Sequence, residues 1–183
     1  MQSARIAERL RSACPALATF TLRPQGEGDL GFLRQLFVSR RWAEACAMPG
    51  WDDQQRLAFL HSQADLQQRH YAQHYSSAAF LIVEVQGQAI GRVCINAAGD
   101  SLRLVDIALL GQWQRRGIGA TVLRALTALA DESGASVALS VDSFSPARRL
   151  YERHGFQALP GEGLQLQMHR PANPLRERAP MTG

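Results

Sequence analysis

Seven consecutive residues, Gln114-Arg115-Arg116-Gly117-Ile118-Gly119-Ala120, carry the strongest chemical signal in this sequence. They stand between an apolar run, Leu102 to Leu110, and a stretch in which Val122, Leu126 and Leu129 recur at helical spacing. A glycine loop feeding a helix start leaves backbone N–H groups free and aims the positive end of the helix dipole at whatever lies above. Glycine also lets that ligand come close to the backbone, either because the turn needs a special φ or because no side chain is in the way. The combination suits a phosphate or pyrophosphate. Two nucleotide motifs that use the same physics fit poorly. A P-loop requires Gly-Lys-Ser/Thr where this chain reads Gly119-Ala120-Thr121, and a dinucleotide fingerprint requires a third glycine where Val122 stands.

The loop matches the pattern Q/R-x-x-G-x-G/A. Further along, Pro146-Ala147-Arg148-Arg149-Leu150-Tyr151-Glu152-Arg153-His154-Gly155-Phe156 contains L-Y-E-x-x-G-F. With both signatures in this order, the chain resembles the GCN5-related N-acetyltransferase (GNAT) superfamily from about Phe20 to Arg170. The match is specific from Leu102 to Phe156 and topological before that. The resemblance implies an α/β (mixed α+β) fold: a mixed, mostly antiparallel sheet with helices on both faces, splayed between two central parallel strands. It implies acetyl-CoA as co-substrate and an amine as acceptor. The pantetheine arm would pair with backbone of the central strand at Ile107, Ala108 and Leu109, and the pyrophosphate would lie on Gln114, Arg115, Arg116, Gly117, Ile118, Gly119 and Ala120. Ser145, where many relatives have Asn, and Arg148 complete the implied cofactor set. Tyr151 would supply a proton to the departing sulfur, and a backbone N–H of the central strand would polarise the thioester carbonyl. Members are often dimers, so a homodimer is implied as well.

The chain departs from the superfamily at the general base, because Arg103 occupies the strand position where protein-acetylating members carry glutamate. Strict alternation puts Asp106 on the face opposite Arg103, where a buried, hydrogen-bonded structural carboxylate is the better reading. Glu84, on a neighbouring hairpin, could act through water. The resemblance puts the acceptor between the loop joining the first two helices and the loop joining the last two strands. Those loops hold Trp51, Asp52, Asp53 and Glu162, a set able to face a cationic amine beside an aromatic wall. Two other readings stay open: a non-catalytic acyl-CoA-binding module, and a transferase acting on aminoacyl-tRNA through a basic patch at Arg40, Arg41 and Arg148.

Composition narrows the classes. At 183 residues with 46% hydrophobic and 20% charged content, one domain over residues 1–170 is expected, with 1–18 an N-terminal extension. No run approaches the roughly 20 apolar residues of a membrane span, and Met1 to Leu10 lacks a signal peptide's apolar core, so a cytoplasmic protein is expected. A formal charge of +4 spread along the chain reads as a solvated surface, not a nucleic-acid footprint. Cys14, Cys46 and Cys94 show no C-x-x-C pairing and read as reduced structural thiols; His61, His70 and His74 read as a solvated face, so no metal is expected.

The elements that must position these groups follow from the patterning. Phe20 to Arg23 reads as a strand. A helix capped by Asp29 follows, with a stripe of Leu30, Leu33, Leu36 and Phe37, and then a polar helix from Asp52 or Asp53 to about Tyr75 with a thin stripe of Leu57, Leu60, Ala64 and Tyr71. Ala79 to Val85 and Ala89 to Asn96 flank Gln86-Gly87-Gln88 as a hairpin, and Leu102 to Leu110 is apolar enough to be central. A helix from Gly119 to Ser133, a strand from Val137 to Val141 and a helix from Pro146 to Arg153 come next. Phe156 to Leu159 and Leu164 to Met168 close the sheet. Residues 171–183, with three prolines and no stripe, read as a disordered tail.

Overall fold

The computed structural model describes residues 2–161 and 163–173, so Glu162 and the tail from Pro174 lie outside the described residues. In chain order the elements are α1 (Gln2–Ala13), β1 (Thr21–Pro24), α2 (Leu30–Cys46), α3 (Asp53–His74), β2 (Ala79–Val85), β3 (Gln88–Ala98), β4 (Ser101–Leu109), α4 (Ile118–Ser133), β5 (Ser136–Asp142), α5 (Arg148–Arg153), β6 (Gln157–Ala158) and β7 (Gln165–Arg170). The strands form one seven-stranded sheet in the order β1-β2-β3-β4-β5-β7-β6. Every pairing is antiparallel except that of β4 with β5.

Local chemistry explains the tightest junction. Gln86 and Gly87 both take positive φ, 51° and 78°, which matches the twist of the β2–β3 hairpin they close. The main core lies on one face, where Ile6, Ala7 and Leu10 of α1 and Val122, Leu126 and Leu129 of α4 pack against Val93, Ile95, Leu102, Leu104, Val137 and Leu139. On the other face α2 contributes Leu36 to a smaller cluster with Ala108 and Leu110. Two expected stripe positions are exposed, Leu30 at 41% and Leu57 at 38%, and Phe37 and Tyr71 are half-buried. Helix α1 has no counterpart in the sequence reading, which left residues 1–18 as an extension. Its stripe of Ile6, Ala7 and Leu10 is only three residues long among charges, yet all three are buried.

Two irregularities in β4 shape the site. Cys94 pairs with Asp106 and Ile95 with Leu104, so Val105 is an extra residue, a β-bulge. Below it Leu102 and Leu104 face the main core; above it the alternation inverts, and Asp106 and Ala108 point to the α2 and α3 side. The bulge overturns the expectation that Arg103 and Asp106 lie on opposite faces: Arg103 pairs with Asn96 and Asp106 with Cys94, which share one face of β3. The second irregularity is that the parallel pairing ends at Leu104 with Leu139, while β5 continues to Asp142 along β7. The two central strands therefore diverge just where the bulge begins.

Gly91 lies opposite Leu109, and a Cβ there would collide with the Ala108 carbonyl oxygen and approach Leu109 Cα to 3.3 Å. The upper half of β4 is thus pressed against β3 through a position that only glycine fills. Gly91→Ala is expected to lower stability by roughly 1–3 kcal/mol, the usual cost of forced overpacking. Thermal unfolding checks it at about 2–4 °C per kcal/mol for a chain of this size, and an unchanged Tm would show the two strands free to move apart.

Candidate active site

The divergence of β4 from β5 opens a cleft of about 660 Å³ floored by the β4–α4 loop. That loop is built locally. Trp113 N–H donates to Leu110 O at 2.8 Å, and the Gln114 side chain donates back to Leu109 O at 2.9 Å. Arg115 and Gly117 take left-handed φ of 57° and 82°. α4 starts with no side-chain cap, and Thr121 N–H, bonded to Gly117 O at 2.9 Å, makes the helix's first bond. The amides of Ile118, Gly119 and Ala120 are those an α-helix leaves without an intrahelical acceptor. They form the positive end of the α4 dipole, which attracts an anion.

Gly119 needs no special φ, and an added Cβ would meet only Leu150 at 3.8 Å and Ile107 at 4.0 Å, ordinary contacts. Of the two loop glycines only Gly117 is there for its φ; Gly119 keeps the cleft open. Arg115 is the left-handed residue that the sequence reading did not anticipate.

Most of the cofactor residues expected from sequence meet here. Ile107, Ala108 and Leu109 form one wall, Gln114, Arg115, Gly117, Gly119 and Ala120 the floor, and Ser145 and Tyr151 the far side. Three stand apart. Ile118 turns its side chain into the core, Arg116 lies over the Trp113 ring at 5.0 Å, and Arg148 is paired with Glu152 at 2.8 Å. Ser145 combines two roles, lining the cleft and accepting a 3.3 Å hydrogen bond from Ala147 N–H at the approach to α5.

A second cleft of about 350 Å³ lies beyond, between the splayed strands and α2 and α3. Tyr151 lines both and is 7% exposed, with its ring edge-on to Phe156 at 6.0 Å. Burial, reinforced by the Asp106 carboxylate, pushes its phenol up to about 12. On the wall of the second cleft Asp106 Oδ2 accepts from Arg92 Nε at 3.1 Å and Nη2 at 2.6 Å. Arg92 is 3% exposed, also donates to Gln67 Oε1 at 3.0 Å, and lies over the Tyr71 ring at 5.1 Å. Tyr71 too is held at about 12, by burial first and then by Asp106.

Among the described residues, neither the acceptor residues expected from sequence nor the base candidate Glu84 line either cleft; Glu162 lies outside the described residues. Trp51 packs edge-on against Phe59, with centroids 5.3 Å apart, and Asp52 caps α3 through a reciprocal box with Gln55. Asp53 pairs with Arg56 at 2.8 Å, while Glu84 pairs with Arg23 at 2.7 Å near the β1 edge of the sheet. Among the described residues the second cleft is instead lined by Arg40, Arg41, Gln67, Tyr71, Asp106 and Asp142. Sequence reasoning set Asp106 aside as structural and passed over Arg92. A lone Arg and a lone Asp in adjacent apolar strands were the available signal that the two neutralise each other.

Cys94 is fully buried and its thiol is pushed up to about 12, so it stays protonated; Cys46, by contrast, is exposed. His61, His70 and His74 lie exposed on α3, and among the described residues no group of three or more His, Cys, Asp or Glu could hold a metal ion. No described helix is long and apolar enough to cross a membrane.

The acetyltransferase (GNAT) family model matches residues 40–156. No curated protein matches the chain. Among solved structures, the PaiA N-acetyltransferase from Thermoplasma acidophilum in complex with coenzyme A is similar at 18% identity and TM-score 0.62, over 83% of this chain and 98% of that one. The spermidine N-acetyltransferase from Vibrio cholerae, in complex with CoA and spermine, is similar at 21% identity and TM-score 0.58, over 85% and 96%. A GCN5-related N-acetyltransferase from Rhodopseudomonas palustris is similar at 24% identity and TM-score 0.57, over 84% and 96%.

The two loop glycines are expected to fail differently. Gly119→Val fills the cleft without straining the backbone, and should weaken CoA binding at least tenfold in calorimetric titration with little change in Tm. Gly117→Ala should cost about 1–2 kcal/mol of stability from the left-handed backbone alone. Equal loss of stability in both variants would show that Gly119 serves the turn and not a ligand.

Proposed function

We propose, from the premise that this chain belongs to the GNAT acetyltransferase family, that it is an N-acyltransferase moving an acetyl group from acetyl-CoA to a primary amine. The observation that carries the reading is Tyr151, buried where the glycine-floored cleft meets a second, polar cleft. The residues present fit the donor, since Gly119 leaves the loop open and the uncapped start of α4 offers amides and a positive dipole to a pyrophosphate. When bound, acetyl-CoA supplies a thioester whose carbonyl carbon accepts the amine and whose sulfur leaves.

The chain's own residues then have defined work. Unpaired backbone of β4 above Leu104 holds the pantetheine arm, and an N–H there polarises the carbonyl. The amine must arrive neutral; for an ammonium with a pKa of ~10.4, losing its proton at neutral pH costs about 4–5 kcal/mol. As the C–N bond forms and the C–S bond breaks, the amine gives up a proton overall and the sulfur gains one.

Magnitudes decide how Tyr151 takes part. A phenol held at about 12 would lose roughly 5 kcal/mol by surrendering its proton outright to a thiolate of pKa ~8.5. Tyr151 therefore acts by donating a hydrogen bond to the departing sulfur, and the sulfur's proton is drawn from the acceptor through solvent. The raised value keeps that donor protonated at every pH below about 12. On this reading the protein works in the cytoplasm, where acyl-CoA is available.

Titration with acetyl-CoA followed by amine-dependent thiol release tests the proposal, and a protein that binds acetyl-CoA but releases no thiol with any amine would be a sensor instead. Tyr151→Phe should lower kcat by about 10²–10³, the usual cost of removing one hydrogen-bond donor to developing charge, while leaving the acetyl-CoA Kd within threefold. The wild-type kcat should rise with pH as the acceptor amine deprotonates and show no alkaline fall up to pH 10. A fall near pH 8–9 that disappears in Tyr151→Phe would contradict a phenol raised by burial.

A further inference from the structure

The second cleft carries enough information to narrow the acceptor, an inference that rests on the transferase reading. Its charges are named easily. Asp106 Oδ2 is taken by Arg92, leaving Oδ1 with no hydrogen bond among the described residues. Arg40 Nη1 stands 3.6 Å from that Oδ1, too far for a direct hydrogen bond and close enough for attraction. Arg41 is paired with Glu44 at 2.7 Å, and Asp142 Oδ1 accepts from Phe144 N–H at 2.9 Å. Arg103 does not line the cleft; it donates to Ser140 Oγ, a wall residue, at 2.6 Å. With Arg92 cancelling Asp106 and Glu44 cancelling Arg41, Arg40 and Asp142 remain, one charge of each sign.

A polycation would be bound badly here, since the deepest carboxylate already carries its own guanidinium. The loose pair of Arg40 and Asp106 Oδ1 is a positive and a negative group with a gap between them, one 42% and the other 11% exposed at the side chain. A small molecule with adjacent ammonium and carboxylate closes that gap with two charge-assisted hydrogen bonds in place of one long contact. The volume of about 350 Å³ is at the small-molecule end of binding clefts.

We propose that the acceptor is the amino group of a free α-amino acid, its nitrogen hydrogen-bonded to Asp106 Oδ1 and its carboxylate held by the Arg40 guanidinium. Asp106 also aims the nitrogen toward the donor, because Arg40, Ile107 and Tyr151 line this cleft and the donor cleft alike. Arg40 is then a specificity residue, and Arg92 a positioning residue that acts through Asp106.

The test is a thiol-release panel with acetyl-CoA, using the common L-amino acids, their C-terminal amides and the diamine putrescine. The expected result is at least one amino acid with kcat/KM tenfold or more above its amide and above putrescine. Arg40→Gln should raise KM for that amino acid at least tenfold and shrink its preference over the amide to within about twofold, while Arg40→Lys should keep most of the preference. Amides or putrescine used as well as amino acids would overturn the inference and leave the transferase reading standing, as would an Arg40→Gln variant that loses both acceptors equally. A protein that binds acetyl-CoA and uses none of these amines overturns the inference too. Failure to bind acetyl-CoA sinks the transferase reading, and this inference with it. Should Arg40→Gln not fold, the wild-type panel decides alone.

Discussion

Two strands in the middle of a sheet cannot separate without leaving N–H and C=O groups unpaired, and in an interior such groups cost about as much as a lost hydrogen bond each. β4 and β5 separate all the same after Leu104 and Leu139. The rest of the structure accommodates that break. β5 satisfies its far edge along β7, and the Gln114 side chain returns to Leu109 O. Gly91 lets β3 clasp the free half of β4 from behind. What stays open is a wedge with backbone polar groups on one wall and uncapped helix amides on its floor, which a ligand with an amide-bearing arm and an anionic tail complements. The proposed acyl donor has both.

The bulge at Val105 turns this wedge into two rooms. Without it Asp106 would face the main core, where a carboxylate has no partner, and Ala108 would leave the α2 side. With it the carboxylate meets Arg92, Arg40 and the second cleft. A buried Arg–Asp pair is a weak source of stability, because desolvation offsets most of the attraction. Its effect here is geometric. Arg92 places both of its hydrogen bonds to Asp106 on Oδ2 and none on Oδ1.

Legibility in the sequence divides along the same line. Features written in contiguous residues were readable: the β2–β3 hairpin from Gln86-Gly87, the order of the seven strands' sequence segments, the Gln114–Ala120 loop and the helix bearing Tyr151. The seven-stranded mixed sheet with its splayed parallel pair followed from the resemblance that those motifs carried. Features that depend on register were not readable. A one-residue bulge leaves no mark on composition yet exchanges the two faces of a strand, and so Asp106 was placed opposite Arg103 and set aside. Helix α1 was missed because three apolar residues among charges fall below any periodicity signal.

The acceptor residues failed for a different reason. Trp51, Asp52 and Asp53 were chosen because negative charge beside an aromatic ring suits an amine, and Glu84 as a base acting through water, but each meets a nearer demand first: Phe59, the α3 amides, Arg56 and Arg23. Local partners at 2.7–2.9 Å outcompete a ligand that must bring its own desolvation cost. Asp106 Oδ1 differs because its neighbour, Arg40, stops at 3.6 Å. An ion pair left loose in a half-enclosed cleft is one that a ligand can still improve, whereas a tight pair is one it must first break.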